Sequence, residues 1–300
     1  PVCAIFPLKT RRWKMFCALF IKMVRDNPQK MKSDYLKKLY VLYVFAKTSF
    51  DDHMGHRLRL FFRFVMCVFF MFVFIEFWRL IARENFIDLP FPVDDVCWYA
   101  CLTQMMLFLS PRLFISIDQD VRSGDISYLL IRPISYIAMR VSEGIGAMSA
   151  NALLYYTAGI ACVGFYIGDL PSTGWVGLGT ALLFLYLGSI LHLMYQAISG
   201  ITALWLQQAE AFYRIYQKIL IVLGGLYMPI PLYPDWLYTL SKFTPVYVMM
   251  YGPAQFVLGW DNGESSAEIL GLLLFWFAVT IFLLGWFYRA CVSRLEVNGG

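Results

Sequence analysis

The chain has 300 residues, of which 60% are hydrophobic, 18% aromatic and 15% charged, whereas soluble domains run near 45–50% apolar and about 25% charged. A water-soluble globule has nowhere to put that much apolar surface, and the apolar residues fall in blocks of roughly 20, the length that crosses about 30 Å of hydrocarbon. The net charge of +5 sits at the ends of those blocks, which points to anionic membrane lipids as the basic residues' partner and away from nucleic acid.

In chain order, residues 1–30 (PVCAIFPLKTRRWKMFCALFIKMVRDNPQK) place a basic start before a short apolar run, as a signal peptide does. Lys22 breaks the run and no small-x-small cleavage site follows. The stretch therefore reads as a cytoplasmic tail, or as an upstream extension ahead of a start at Met23 or Met31, and residues 31–300 as a single transmembrane domain. Residues 34–50 space Leu36, Leu39, Tyr40 and Tyr43 helically beside Lys37, Lys38 and Lys47, which predicts a helix on the inner membrane surface or an inward extension of the first span.

Hydropathy predicts six spans, at 60–81, 96–115, 144–167, 175–203, 216–234 and 267–288. The apolar stretch 229–258 holds Pro229, Pro231, Pro234, Pro245 and Pro253, which deny it the unbroken hydrogen-bonded helix a free-standing span requires. It is predicted to form short re-entrant helices. Alternating the sides of the six spans leaves only Arg79, Arg83 and Lys242 on one side, while the tail, the 112–140 loop, the 206–218 loop and the C-terminal end from Arg289 carry the remaining loop Lys and Arg. The positive-inside rule then puts both termini in the cytoplasm. The expected fold class is an all-α polytopic membrane protein with six transmembrane helices, an N-terminal interfacial helix and re-entrant helices between spans five and six.

Chemistry-bearing motifs are sparse. Cys3, Cys17, Cys67, Cys97, Cys101, Cys162 and Cys291 are odd in number and include no Cys-x-x-Cys, and the His residues are scattered, which argues against a disulfide framework or a metal site. The chain contains no Gly-Lys pair, so it lacks a phosphate-cradling Gly-x-x-x-x-Gly-Lys-Ser/Thr loop. Cofactors are expected to be none in this chain, with any nucleotide hydrolysis on another. The spans are poor in the ionisable groups that ion-coupled carriers keep there: Glu76 and Arg79 are placed to pair or reach water, His192 to pack with a hydrogen bond, and Gln104 and Gln196 to bond between helices or line a path. No catalytic residue is assigned.

The most informative stretch is 118–133, DQDVRSGDISYLLIRP. Mixed charges, a turn at Ser123-Gly124-Asp125, an apolar run and a closing Arg-Pro describe a short structured element built to dock a partner, or an interfacial helix that only shapes the loop. This loop resembles a signature of type 2 ABC exporter permeases, acidic-x-x-basic followed by Gly-x-Ile/Leu-x-x-x-Leu-x-Arg-Pro, with Asp118, Gly124, Asp125, Leu129, Leu130, Arg132 and Pro133 in its positions. The segment GGLYMPIPLYPDWLYTLSKFTPVYVMMYGPAQFVLG at 224–259 is similar to that family's stretch between spans five and six, Pro234-Asp235-Trp236 opening a short helix.

The resemblance covers about residues 31–290, closest to the branch of paired six-span permeases with a separate ATPase. It implies that Asp118, Asp120, Arg122, Gly124, Asp125, Leu129, Arg132 and Pro133 couple to the ATPase, and that Pro229, Pro231, Pro234, Trp236, Pro245 and Pro253 belong to an outer gate. It also implies a separate ABC ATPase subunit carrying ATP and Mg, a second permease subunit, identical or related, and a place in the plasma or inner cell membrane. The 26 Phe, 19 Tyr and 9 Trp suit a path for an amphiphilic or lipid-linked substrate, and equally lipid-facing belts. The alternatives are a non-catalytic membrane scaffold or immunity protein, or a membrane-embedded enzyme, for which Asp118, Asp120 and Asp125 have no His or Cys companions in their loop.

Overall fold

A computed structural model describes residues 34–292 except 88, 133, 169–170, 172, 207–208 and 259–265. The expectations attached to the tail 1–30 and to Pro133 fall outside the described residues. The chain divides into two units, one ending at Val44 and one starting at Phe45. The described part of the first is helical, with Leu36, Leu39 and Tyr43 exposed beside Lys37 and Lys38.

Every regular element among the described residues is a helix: α1 (Asp34–Gly55), α2 (Arg57–Arg83), α3 (Val93–Leu109), α4 (Leu113–Arg122), α5 (Ile126–Leu130), α6 (Tyr136–Leu154), α7 (Ile160–Ile167), α8 (Gly174–Ile201), α9 (Ala203–Leu206), α10 (Ala209–Leu223), α11 (Asp235–Lys242), α12 (Gly252–Leu258) and α13 (Ser266–Val292). A π-turn at Tyr155–Gly159 joins α6 to α7, a 3-10 turn at Ile230–Leu232 precedes α11, and a second π-turn at Tyr247–Tyr251 leads into α12. Non-helical φ and ψ at His56 separate α1 from α2.

Five helical segments are long and apolar enough to cross a membrane: Arg57–Arg83, Val93–Arg122, Tyr136–Ile167, Gly174–Trp205 and Ala267–Val292. The expected fifth span at 216–234 is corrected. Its helix, α10, runs Ala209–Leu223 and stops there, so the stretch 224–234 does not continue it. Turns through Gly224 and Gly225 then open the proline-rich segment. Two more boundaries move: span two is not one helix over 96–115, because Ser110-Pro111-Arg112 interrupts it, and span three begins at Tyr136 rather than near 144. Pro111 lacks an N–H and biases the preceding residue to extended backbone, and Ser110 has ψ 127 accordingly.

Burial sorts the helices by role. In α2 only the stripe Leu60, Cys67, Met71, Ile75 and Trp78 is buried, while Phe61, Phe62, Phe69, Phe72 and Phe77 are exposed. In α13, Phe275, Phe282 and Trp286 are exposed in the same way. These two helices leave most of their surface outside the packed core. The core is α3, the middle of α8, and the stretch from Val246 to Val257, whose Tyr247, Met249, Met250 and Tyr251 are fully buried. Irregular backbone at membrane depth is tolerated only where protein surrounds it, and the second π-turn satisfies that condition between α3, α8 and α12.

Candidate functional site

The loop singled out in the sequence stands on α4. This helix packs against α8, α10 and α6, and its Leu113, Phe114, Ile117 and Asp120 are buried. Arg122 faces outward and pairs with the half-buried Asp118 one turn back, Arg122 Nε to Asp118 Oδ2 at 2.8 Å, a contact at the surface that contributes about 1 kcal/mol at most. Beyond Arg122 the chain turns at Gly124, whose φ of 76° is left-handed and would strain any side chain. Ser123 Oγ donates to Asp125 Oδ2 at 2.9 Å and fixes the turn. In the five-residue α5, Ile126 faces inward, while Tyr128 is 64% and the following Ile131 83% exposed. Leu129 is half-buried, and Arg132 Nη1 reaches Met139 Sδ at 3.7 Å. Two large apolar side chains projecting from a loop tip form a small anchor surface of the kind partners bury.

Asp120 behaves differently from its neighbours. Its Oδ2 accepts from the Tyr136 hydroxyl at 2.6 Å, from Arg140 Nε at 2.8 Å and from Arg140 Nη2. Arg140 Nη1 donates to Glu143 at 2.6 Å. The Arg140 guanidinium thus ties α6 to α4 through Asp120, and Glu143, one turn along α6, holds its other edge. Charge-assisted bonds of this type hold geometry, whereas loss of one partner leaves a buried charge uncompensated.

The α3–α4 break leaves backbone groups that need partners at membrane depth. The Phe108 carbonyl accepts from Arg63 Nη2 at 3.0 Å, and the Leu109 carbonyl from Asn151 Nδ2 at 2.8 Å. The Leu113 N–H, first of α4, donates to Gln196 Oε1 at 2.9 Å. With the Asn151 amide nitrogen so occupied, its Oδ1 faces His53 Nε2 at 3.1 Å, which makes that nitrogen the donor. Arg63 Nη1 lies 3.4 Å from the same nitrogen. Burial above all, and then the Arg63 charge, lower the His53 pKa from its ordinary value and keep the ring neutral.

The proline-rich segment places its prolines at helix starts, where a missing N–H costs least. Pro229 and Pro231 flank and enter the 3-10 turn, Pro234 caps α11, and Pro245 opens the turn that leads to the second π-turn. Pro253 cannot donate to the Met249 carbonyl, the α-helical acceptor four residues back, and the backbone widens into a π-turn just before it. Trp236 on α11 is 68% exposed.

Several of the polar residues noted in the sequence acquire partners. Arg79 lies between Glu76 at 3.9 Å and Asp94 at 4.0 Å. His192 Nδ1 meets the Tyr216 hydroxyl at 2.6 Å, and Gln196 is the cap of α4. The structure brings Asp118, Asp120, Arg122, Gly124, Asp125, Leu129 and Arg132 into one region. Pro229, Pro231, Pro234, Trp236, Pro245 and Pro253 lie in a second segment of the chain. Sequence reasoning missed Tyr136, Arg140, Glu143 and Asn151. The available signal was Arg140 and Glu143, an i,i+3 pair of opposite charge at the head of an apolar block.

All-helical among its described residues, with five segments long and apolar enough to cross a membrane, the chain is a membrane transport component. More narrowly, the chain belongs to the ABC-2 transporter family, whose model, described as ABC-2 family transporter protein, matches residues 91–299. The match takes in the loop and the proline-rich segment. A search among curated proteins returned no match.

Proposed function

We propose that this chain is the membrane-spanning permease subunit of an ATP-driven exporter, working with a separate ATPase and with a second permease subunit, identical or related. The single observation that carries the reading is the contrast between the loop tip, with Gly124, Asp125, Tyr128 and Ile131 exposed, and the clamped helix α4 on which it stands. A tip free to meet a partner, on a helix held by side chains from α6 and α8, is suited to passing a rigid-body displacement into the bundle.

In this reading ATP and Mg are held by the partner, both termini of the permease face the cytoplasm, and the complex resides in the plasma or inner cell membrane. Residues 118–133 couple to the ATPase, and residues 229–258 form the outer gate. The substrate in this reading is amphiphilic or lipid-linked.

The test is a mild-detergent affinity purification of the tagged chain, with mass spectrometry and an ATPase assay of what accompanies it. A roughly stoichiometric nucleotide-binding subunit is the expected result. A chain that emerges alone and inert from several detergents overturns the exporter reading in favour of a scaffold.

A further inference from the structure

The proposed coupling helix and the proposed gate lie far apart in sequence, yet one chain of buried and half-buried side chains joins them. Phe114, the second residue of α4, stacks on Tyr213 of α10 with ring centroids 3.7 Å apart and planes at 19°. One turn along α10, Tyr216 follows with its ring centroid 6.2 Å from that of Tyr213. The Tyr216 hydroxyl sits between two partners, His192 Nδ1 at 2.6 Å and Met249 Sδ at 3.8 Å. With the hydroxyl donating to sulfur, His192 Nδ1–H donates to the phenol oxygen, so both contacts are made at once.

Met249 is an unusual place for such a contact to end. It lies inside the π-turn Tyr247–Tyr251, and its carbonyl has no α-helical donor because the residue four ahead is Pro253. That carbonyl packs on α8 at Gly188, where an added Cβ would come within 2.7 Å of the oxygen. A π-turn holds one residue more than the α-helical register and is a recurrent feature of functional sites. Passing that residue along the chain switches the segment between two discrete arrangements, which is what energetic coupling through a packed network requires.

We propose that Tyr216 is the positioning residue that ties α4 to this π-turn, so that displacement of the loop-bearing helix is delivered to Met249 and from there to the segment before α12. The physical tie is a property of this chain; its use in an ATP-driven cycle rests on the function proposed above.

The first experiment needs no ATPase. Hydrogen–deuterium exchange is measured on the purified full chain in micelles, with peptides covering 245–252 and, as control, the middle of α13. Phe114→Leu is expected to speed exchange in 245–252 by about threefold or more while α13 is unmoved. Tyr216→Phe, which keeps the ring and removes only the hydroxyl, is expected to do the same, and adding Phe114→Leu to it is expected to change nothing further. Gly188→Ala, which pushes the Met249 carbonyl from the opposite side, should also raise exchange there. Unchanged exchange in 245–252 with Phe114→Leu, or full additivity of Phe114→Leu with Tyr216→Phe, overturns the proposal.

The second experiment uses the complex with its co-purified ATPase and a fluorophore on Trp236→Cys. Tyr216→Phe is expected to abolish most of the ATP-driven signal while hydrolysis continues, and a full signal overturns the tie. Failure to recover any ATPase counts against the exporter reading alone, since the exchange result stands by itself.

Discussion

The side chain of Gln196, near the C-terminal end of α8, accepts a hydrogen bond at 2.9 Å from the backbone N–H of Leu113, the first residue of α4. The first N–H groups of a helix have no partner within it, and burial keeps water from this one. Gln196→Leu leaves that N–H buried and unpaired, at a cost of about 1–3 kcal/mol. Thermal unfolding in detergent is expected to shift down, and Gln196→Glu, which keeps an acceptor, to recover part of the loss. An unchanged midpoint for Gln196→Leu would show that the cap contributes nothing.

Arg140 serves Asp120 and Glu143 with one guanidinium. Removing it leaves the buried Asp120 and the half-buried Glu143 without their cation, and Arg140→Leu is expected to destabilise the protein by about 3 kcal/mol. Arg140→Lys restores charge but not a fork that reaches two acceptors. Its unfolding midpoint should fall between those of the parent and Arg140→Leu, and equality with the parent would count against the clamp.

His53 provides a pH test. Burial and Arg63 lower its pKa in the folded protein, so the unfolded chain binds a proton more readily than the folded one. Stability is therefore level above the unfolded value of about 6.5 and declines as pH falls from there toward the folded value. Arg59 adds to the effect and Asp52 opposes it. His53→Gln is expected to flatten the decline, and an unaltered slope in pH-dependent unfolding would place its origin elsewhere.

Gly124 has a left-handed φ of 76°, and an added Cβ meets nothing within 4 Å. Gly124→Ala thus costs only backbone strain, about 1–2 kcal/mol at the tip, and leaves the buried part of α4 intact. The expected outcome is less ATPase in the purification with little change in the unfolding midpoint. Gly124→Pro, whose ring fixes φ near −65°, should remove the ATPase altogether while the protein remains inserted.

The proposed orientation predicts opposite labelling at two exposed positions. A cysteine at Trp236 on α11 is expected to react in intact cells with a membrane-impermeant maleimide, and one at Ser123 only after permeabilisation. The reverse pattern would invert the topology and separate the loop from any cytoplasmic ATPase.

The prolines of 229–258 could be read directly because proline acts on its own backbone: a missing N–H and a fixed φ have the same effect in any tertiary setting. The same rule applied to Pro111 divides the second span, yet that proline sits in a long apolar block, and hydropathy averaged over a window passes across it. The fifth span erred in the opposite sense. Apolar residues continue from Ile219 to Leu232, but Gly224 and Gly225 start turns after Leu223, and apolarity carries no record of where a helix stops.

Residue types and their run lengths in the sequence determined the solvent, the helical class, the absence of a phosphate-binding Gly-Lys motif and the positions of the loop and the proline-rich segment. All of these are local, because a bilayer selects apolar runs by length and requires each run to satisfy its own backbone. The tertiary structure alone decided that Asp120 meets Arg140, that Gln196 caps α4, and that Phe114 reaches Met249 through Tyr216. Lipid tails are as apolar as leucine, so a spanning helix need not mark in its sequence which face packs on protein. Those pairings are set by side chains from distant parts of the chain that meet only once the bundle closes.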